Sequence, residues 1–392
     1  MQLNIIIKIS INERYMNINH FEYNHGVQNI DLLCPVPVDA GTVRGWKQVP
    51  IKEGGEPLVS LGSLSSEAGN IFTSSVYFGE HNNSPYILDV NKVQGSSIAL
   101  FARASVAEKL QEAQSILPDG MRLIAFDAYR PLEVQASLYD FYRSRLALQL
   151  PDVDATTLEE ETQKYVSVPS RNPSMPSPHN TGASVDLAII KFDKIYEKKL
   201  EELDTILNSD SLSYEERVSA EMRRSAIIRH HGVMLNFGTS FDHGGEKAAL
   251  AYFDRQIEAG KELSSAEIEA CYNRRILYNA MSKVGMVAFE SEWWHYNAPE
   301  SQMGARAIGL HSAMFGGTEL SRENRVHLQK RLELHELSTH IQESLMRGLG
   351  ARAIHTSLDK TIHDTLLHTG EPRIGGDWKT EIIAPQFESV PL

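Results

Sequence analysis

The sequence predicts a mixed fold in which short strands carry the chemistry and longer helices flank them. Three observations predict it. Apolar runs of strand length occur at residues 121–126, 185–190 and 286–289. Between them lie stretches whose apolar residues recur at helical spacing, and glycine or proline punctuates the junctions.

Residues 25–70 hold Cys34-Pro35-Val36-Pro37, Gly54-Gly55 and Gly62-Ser63, with short apolar clusters between them, and read as an irregular or short-stranded lead-in. From Ala102, the spacing of Val106, Leu110, Ala113 and Leu117 marks one face of a helix stopped by Pro118 and Gly120. The strand at 121–126 ends in Asp127-Ala128-Tyr129-Arg130-Pro131, where Pro131 opens a helix over 132–150. Residues 151–175 are polar, contain prolines and read as a long connection, a kind of loop that is often functional. The strand at 185–190 follows a turn at Gly182, and residues 191–231 read as two helices broken near Ser209-Asp210-Ser211. After a turn-rich segment at 236–242, a helix over 268–284 leads through Gly285 to the strand at 286–289. Glu292-Trp293-Trp294-His295-Tyr296 reads as a further strand, which needs a bulge or strand end to turn Glu292 and His295 the same way. Beyond Pro299, Leu334, Leu337, Ile341 and Leu345 mark a helix, followed by Gly348 and a polar tail. The expected organisation is an extension over 1–70, a central domain over 71–300 with a helical insertion at about 191–232, and a helical extension over 301–392 packed on that domain.

With 392 residues and 42% hydrophobic content, the chain has ample material for a buried core. A formal net charge of −13 and a pI near 5.6 weigh against nucleic acid as a partner. Two cysteines, Cys34 and Cys271, cannot build a disulfide framework or a thiolate metal cluster, so any metal must rest on histidines and carboxylates. Lys8, Asn12, Glu13 and Arg14 interrupt the apolar Ile5-Ile6-Ile7, and no run approaches the roughly 20 residues of a membrane span. A cytoplasmic protein is the expectation.

The chemistry concentrates in Ser177-Pro178-His179-Asn180-Thr181-Gly182-Ala183-Ser184-Val185-Asp186 and in Glu292-Trp293-Trp294-His295. Catalytic zinc takes three protein ligands and keeps a fourth position for water. His179, Asp186 and His295 can be those ligands, while Glu292 is left over as a general base. Arg130, at the end of a strand, can donate to a developing oxyanion, and Asp127 is its natural partner. The other histidines, among them His230, His231, His243, His327 and His335, lack ligand spacing, and solvated helix faces account for those of the tail set, His327 and His335 included. No phosphate loop and no Gly-x-Ser-x-Gly elbow occurs. The chain reads as a metallohydrolase.

The order Asp-x-Tyr-Arg-Pro, Ser-x-His-x-x-Gly-x-x-x-Asp, Phe-Gly-Thr-x-Phe-Asp and Glu-x-Trp-His over about residues 75–300 resembles the zinc D-alanyl-D-alanine dipeptidases of the VanX-like type. The resemblance implies a small α+β fold with a central antiparallel sheet flanked by helices, of the zinc D-Ala-D-Ala peptidase or hedgehog-like kind. It implies one Zn2+ held by His179, Asp186 and His295, Glu292 as base and Arg130 as stabiliser of the tetrahedral intermediate. Asp127, Ser177 and Asp242 take substrate-binding or supporting roles. Hydrolysis of the free dipeptide to two D-alanines is the implied reaction. The alternatives are a peptidoglycan D,D-carboxypeptidase or endopeptidase, and an inactive zinc-binding interaction module. Ser184 stands where an alanine is usual, and the added helical segments could form a homo-oligomer interface.

Overall fold

A single buried strand, β5 (Ser184–Lys191), organises the molecule. The computed structural model describes residues 30–38, 43–62, 71–79, 86, 93–209 and 211–346, with the backbone alone at 30, 214, 215, 218 and 337–346. The first 29 residues and the tail after 346, including the expected break at Gly348, lie outside the described residues.

Val185 and Leu187 to Ile190 are apolar and buried on both faces of β5, as expected of a central strand covered on each side. The six-stranded sheet runs β2 (Phe72–Thr73), β4 (Met121–Asp127), β5, β8 (His295–Asn297) and β7 (Val287–Ala288), with β6 (Val233–Met234) pairing to the far end of β5. All these pairings are antiparallel except β2 with β4, which is parallel. The expectation of an antiparallel sheet therefore needs this correction. The chain between β2 and β4 is long enough for the crossover that parallel neighbours require, and contains a second, two-stranded sheet member and a helix. Those are β3 (Phe101–Arg103), paired with β1 (Leu58–Ser60), and α1 (Ala104–Ser115).

Helices form at the stretches where the sequence reading placed them, over 104–115, 132–149, 194–231 and 265–283. α1 buries Val106, Leu110 and Ala113; α2 (Leu132–Gln149) follows Pro131; α4 (Lys194–Leu207) and α5 (Tyr214–His231) are the helix pair expected over 191–231. The long connection after α2 is not structureless. It contains α3 (Ala155–Gln163), whose start is set by Asp154 accepting from the backbone of Thr156 and Thr157. α7 (Ser265–Lys283), opened by a Ser264–Glu267 capping box, follows the short α6 (Tyr252–Glu258) and packs Ile276, Leu277, Ala280 and Met281 into the main core. α8 (Gln302–Ile308) and α9 (Arg322–Met346) follow β8.

Residues before 71, the α4–α5 pair and α9 contact the rest of the fold through buried groups. Leu32, Leu33 and Val36 enter the main core, and Asn279 donates to the Leu32 and Cys34 carbonyls. Arg331 on α9 pairs with Glu221 on α5 at 2.5 Å, while Arg224 pairs with Asp204 on α4 at 2.9 Å and lies 4.1 Å over the Phe72 ring.

Gly182 turns the chain into β5. Its φ is +70°, and a Cβ there would lie 2.3 Å from Leu58 Cδ2. Left-handed backbone costs a non-glycine residue roughly 1–2 kcal/mol. Gly182→Ala should therefore lower stability by about that amount or more, read as a reduced urea midpoint with an unchanged m-value.

Candidate active site

Strand register places three of the implicated side chains in one row. Asp127 on β4 is opposite Asp186 on β5, which is opposite His295 on β8. Directly paired residues share a face with Cβ atoms about 4.5–5.5 Å apart. A register shift between Ala125 and Asp127 lets β4 bulge at Phe126 before it delivers Asp127. His179 arrives from a single 3-10 turn, His179–Thr181, just before β5. Glu292 lies in the β7–β8 hairpin loop, where its N–H bonds the Phe289 carbonyl and its own carbonyl accepts from His295. The expected strand over 292–296 is thus a turn up to Trp294. Tertiary packing holds that turn: the Trp293 ring stacks on Phe237 at 4.2 Å and its Nε1 donates to Thr239.

His179, Asp186 and His295 are buried, and their donor atoms lie within 4.8 Å of one another. His179 Nε2 is 3.2 Å from His295 Nδ1 and 3.4 Å from Asp186 Oδ2, and His295 Nδ1 is 2.8 Å from Asp186 Oδ1. The opposite nitrogens face acceptors: His179 Nδ1 is 2.9 Å from the Ala128 carbonyl, and His295 Nε2 is 3.1 Å from Asn297 Oδ1. Two imidazoles whose outer nitrogens are engaged, and whose inner nitrogens converge on a carboxylate, form a donor set that suits zinc. Among the described residues no other group of three such donors comes together.

The electrostatics agree. Burial alone would raise the Asp186 carboxyl, but His179 and His295 hold it well below the usual carboxylate range. Burial would lower His179, and the carboxylates of Asp186 and Asp127 outweigh it. Glu292 behaves oppositely: burial, with Asp186 and Asp242 adding repulsion, pushes it up to about 7, although 33% of its side chain opens to the cleft. Its Oε2 lies 3.9 Å from His295 Nδ1, outside the donor cluster and beside it.

Arg130 is clamped. Its Nε and Nη2 donate to Asp127 Oδ2 at 2.9 and 2.6 Å, Nη1 to Gln135 at 2.9 Å, and Nη2 to the Tyr77 hydroxyl at 3.0 Å. Four of five guanidinium N–H groups are spent, leaving one on Nη1. Asp127 also reaches His179 Nδ1 at 3.3 Å, so it ties Arg130 to the donor cluster and does not line the cavity.

A cavity of about 200 Å3 brings together His179, Asp186, His295, Glu292, Arg130, Ser177 and Asp242. Ser177 Oγ is buried there without a hydrogen-bond partner. Asp242 has φ +62°, and its Oδ2 accepts from the Tyr86 hydroxyl at 2.5 Å and from Tyr142 at 3.4 Å. Burial raises its carboxyl. Beside this cavity lies an open cleft of about 540 Å3 that shares Tyr142, Tyr165, Asp242, Glu292 and Trp294 with it.

Sequence reasoning missed Gln135, Tyr142, Tyr165 and Asn297. Asn297 carried a signal, since a residue two after a candidate donor on a strand shares its face. Gln135 carried one less plainly, as a polar residue in the first turn of a helix that follows Arg130. His231 stacks on Tyr196 at 3.7 Å and His335 lies edge-on to Phe78 at 5.2 Å, so both are engaged elsewhere. Cys271 is buried, with its thiol pushed up to about 12 by that burial.

Comparison with known proteins yields peptidases. A family model described as D-ala-D-ala dipeptidase matches residues 193–312, the stretch that holds Asp242, Glu292 and His295. A curated D-alanyl-D-alanine dipeptidase from Synechocystis sp. is 22% identical over 268 residues, covering 65% of this chain and 87% of the relative. The resemblance seen in the sequence motifs is borne out.

Proposed function

We propose that this chain, similar to the VanX-like D-alanyl-D-alanine dipeptidases, is a zinc-dependent peptidase that hydrolyses free D-Ala-D-Ala to two D-alanines. The observation that carries the reading is the convergence of His179, Asp186 and His295 with Glu292 and Arg130 on one cavity of about 200 Å3. That volume is below the roughly 300–1,000 Å3 of pockets for drug-sized ligands, which suits a very small substrate.

His179 Nε2, Asp186 and His295 Nδ1 would hold the metal. When bound, zinc would supply Lewis-acid polarisation of the scissile carbonyl and acidify water. Glu292, ionised, takes the proton of the attacking water and passes it to the leaving amine. Arg130 offers its remaining N–H to the oxygen on which charge develops. Asp127, Gln135 and Tyr77 keep that guanidinium from swinging away. A free dipeptide carries a carboxylate and an ammonium. The unpartnered Ser177 hydroxyl is a donor for the first, and the Asp242 carboxylate an anion for the second.

The direct experiment measures D-alanine released from D-Ala-D-Ala before and after chelation, and again after zinc is restored. Activity lost and regained is expected; full activity in metal-free protein would refute the reading. Metal analysis should find one zinc per chain, lost in His179→Ala and Asp186→Ala. Undiminished zinc in both variants would remove this site. The adjoining open cleft supports a second reading, a peptidoglycan D,D-carboxypeptidase or endopeptidase. An N-acylated peptide ending in D-Ala-D-Ala, cleaved faster than the free dipeptide, would select it. An intact zinc site with no turnover of either substrate would select an inactive zinc-binding module.

The Glu292 shift has a stability consequence in the metal-free protein. A carboxyl raised from 4.5 to about 7 keeps its proton in the native state where the unfolded chain has released it. Native protein then binds more protons between about 4.5 and 7, so stability falls as pH rises through that window. Glu292→Gln removes this loss, and chelated variant should show a higher urea midpoint than wild type at pH above 7, with little difference at pH below 4.5.

A further inference from the structure

The geometry points to Asn297, oriented by Ser184 and Met303, as the positioning residue that fixes His295 with its proton on Nε2 and leaves Nδ1 free for the metal. This inference rests on the zinc reading above. β5 and β8 pair Ser184 with Asn297 directly, two residues along each strand from the Asp186–His295 pair, so the four side chains share a face. Ser184 and Asn297 are fully buried. The Ser184 hydroxyl donates to Asn297 Oδ1 at 2.7 Å, and His295 Nε2 is 3.1 Å from the same oxygen. Asn297 Nδ2 points at Met303 Sδ, 3.4 Å away.

Sulfur of a thioether accepts weakly and cannot donate. Were the amide turned over, its oxygen would face that sulfur with no donor, and its NH2 would face the serine oxygen and the imidazole. Burial makes such an unpaired carbonyl costly, on the order of 1–3 kcal/mol. The amide is therefore held with its oxygen towards His295, which requires a proton on Nε2. The competing arrangement is close at hand, because Nδ1 lies 2.8 Å from Asp186 Oδ1 and could spend itself as a donor there. Asn297 opposes that state and so favours the metal-ready one. Ser184 contributes what an alanine at this position could not, a donor that occupies the second lone pair of Oδ1.

The test compares zinc dissociation constants, by competition with a chromophoric chelator, in wild type, His179→Ala, Asn297→Leu and Asn297→Asp. Groups that orient a metal ligand typically change metal affinity about 10–100-fold when removed. Asn297→Leu should weaken zinc by that factor, and Asn297→Asp, which keeps an acceptor facing Nε2, should remain near wild type. Wild-type affinity in Asn297→Leu, or an equal loss in both Asn297 variants, overturns the inference. Absence of zinc from wild type, or its retention in His179→Ala, instead overturns the underlying site. If Asn297→Leu does not fold, long-range 1H–15N correlations on histidine-labelled, zinc-loaded wild type decide. A proton on His295 Nε2 supports the assignment, and a proton on Nδ1 refutes it.

Discussion

Glu292→Ala should abolish most hydrolysis of D-Ala-D-Ala while leaving the zinc content unchanged. The carboxylate is 3.9 Å from His295 Nδ1, outside the trio that can hold the ion, so its removal takes away no metal donor. In the proposed mechanism it removes the acceptor for the proton of the attacking water, and general-base losses run to roughly 10²–10⁴-fold. The hairpin loop that carries Glu292 is held by Trp293 and by backbone bonds, including Leu250 N–H to the Glu290 carbonyl, and none of these needs the carboxylate. Metal analysis beside steady-state rates checks both halves. Near-normal kcat in zinc-loaded variant would transfer the base role elsewhere. Wild type should also lose kcat/KM on the acid side as Glu292 takes up a proton, at a pH below about 7, because a bound dication draws Glu292 down from its metal-free value of about 7. That acid limb should be absent from the residual rate of the variant.

The parts of this site that sequence made legible are those whose chemistry and local spacing coincide. His179, Gly182 and Asp186 lie within eight residues of one another, so a turn entering a strand is enough to bring two donors together. β4, β5 and α7 were readable because their apolar periodicity reports burial directly. The hairpin loop was not, since Trp293 and Trp294 favour strands on propensity while their burial against Phe237 and Phe241 holds them in a turn. α3 escaped because its residues, rich in Thr and Glu, show a weak apolar stripe, and its cap at Asp154 looks like any acidic loop residue. The parallel β2 strand is two residues long and gives no period at all. Gln135 and Tyr77 meet Arg130 only through tertiary structure, Tyr77 from 53 residues away in sequence.

Arg130→Ala should depress kcat more than it raises KM. The guanidinium lines the same cavity as the donor cluster, and its charge is secure: burial would lower its affinity for the proton, but Asp127 and Tyr77 more than restore it. With four N–H groups committed to Asp127, Gln135 and Tyr77, the group is preorganised and has one donor left to aim. A fixed donor meets its partner best when negative charge has moved onto the substrate oxygen, so the loss falls on the transition state. Removal of one such donor costs about 3–4 kcal/mol, on the order of 10²–10³-fold in kcat. Arg130→Lys should recover little, because a point charge on a flexible stem cannot satisfy Asp127, Gln135 and Tyr77 together. Gln135→Met leaves the charge and Asp127 in place but frees Nη1, so it should lose a smaller share of kcat with KM nearly unchanged. The opposite pattern in Arg130→Ala, KM raised with kcat intact, would reassign the guanidinium to the substrate carboxylate and leave Ser177 as its neighbour in that role.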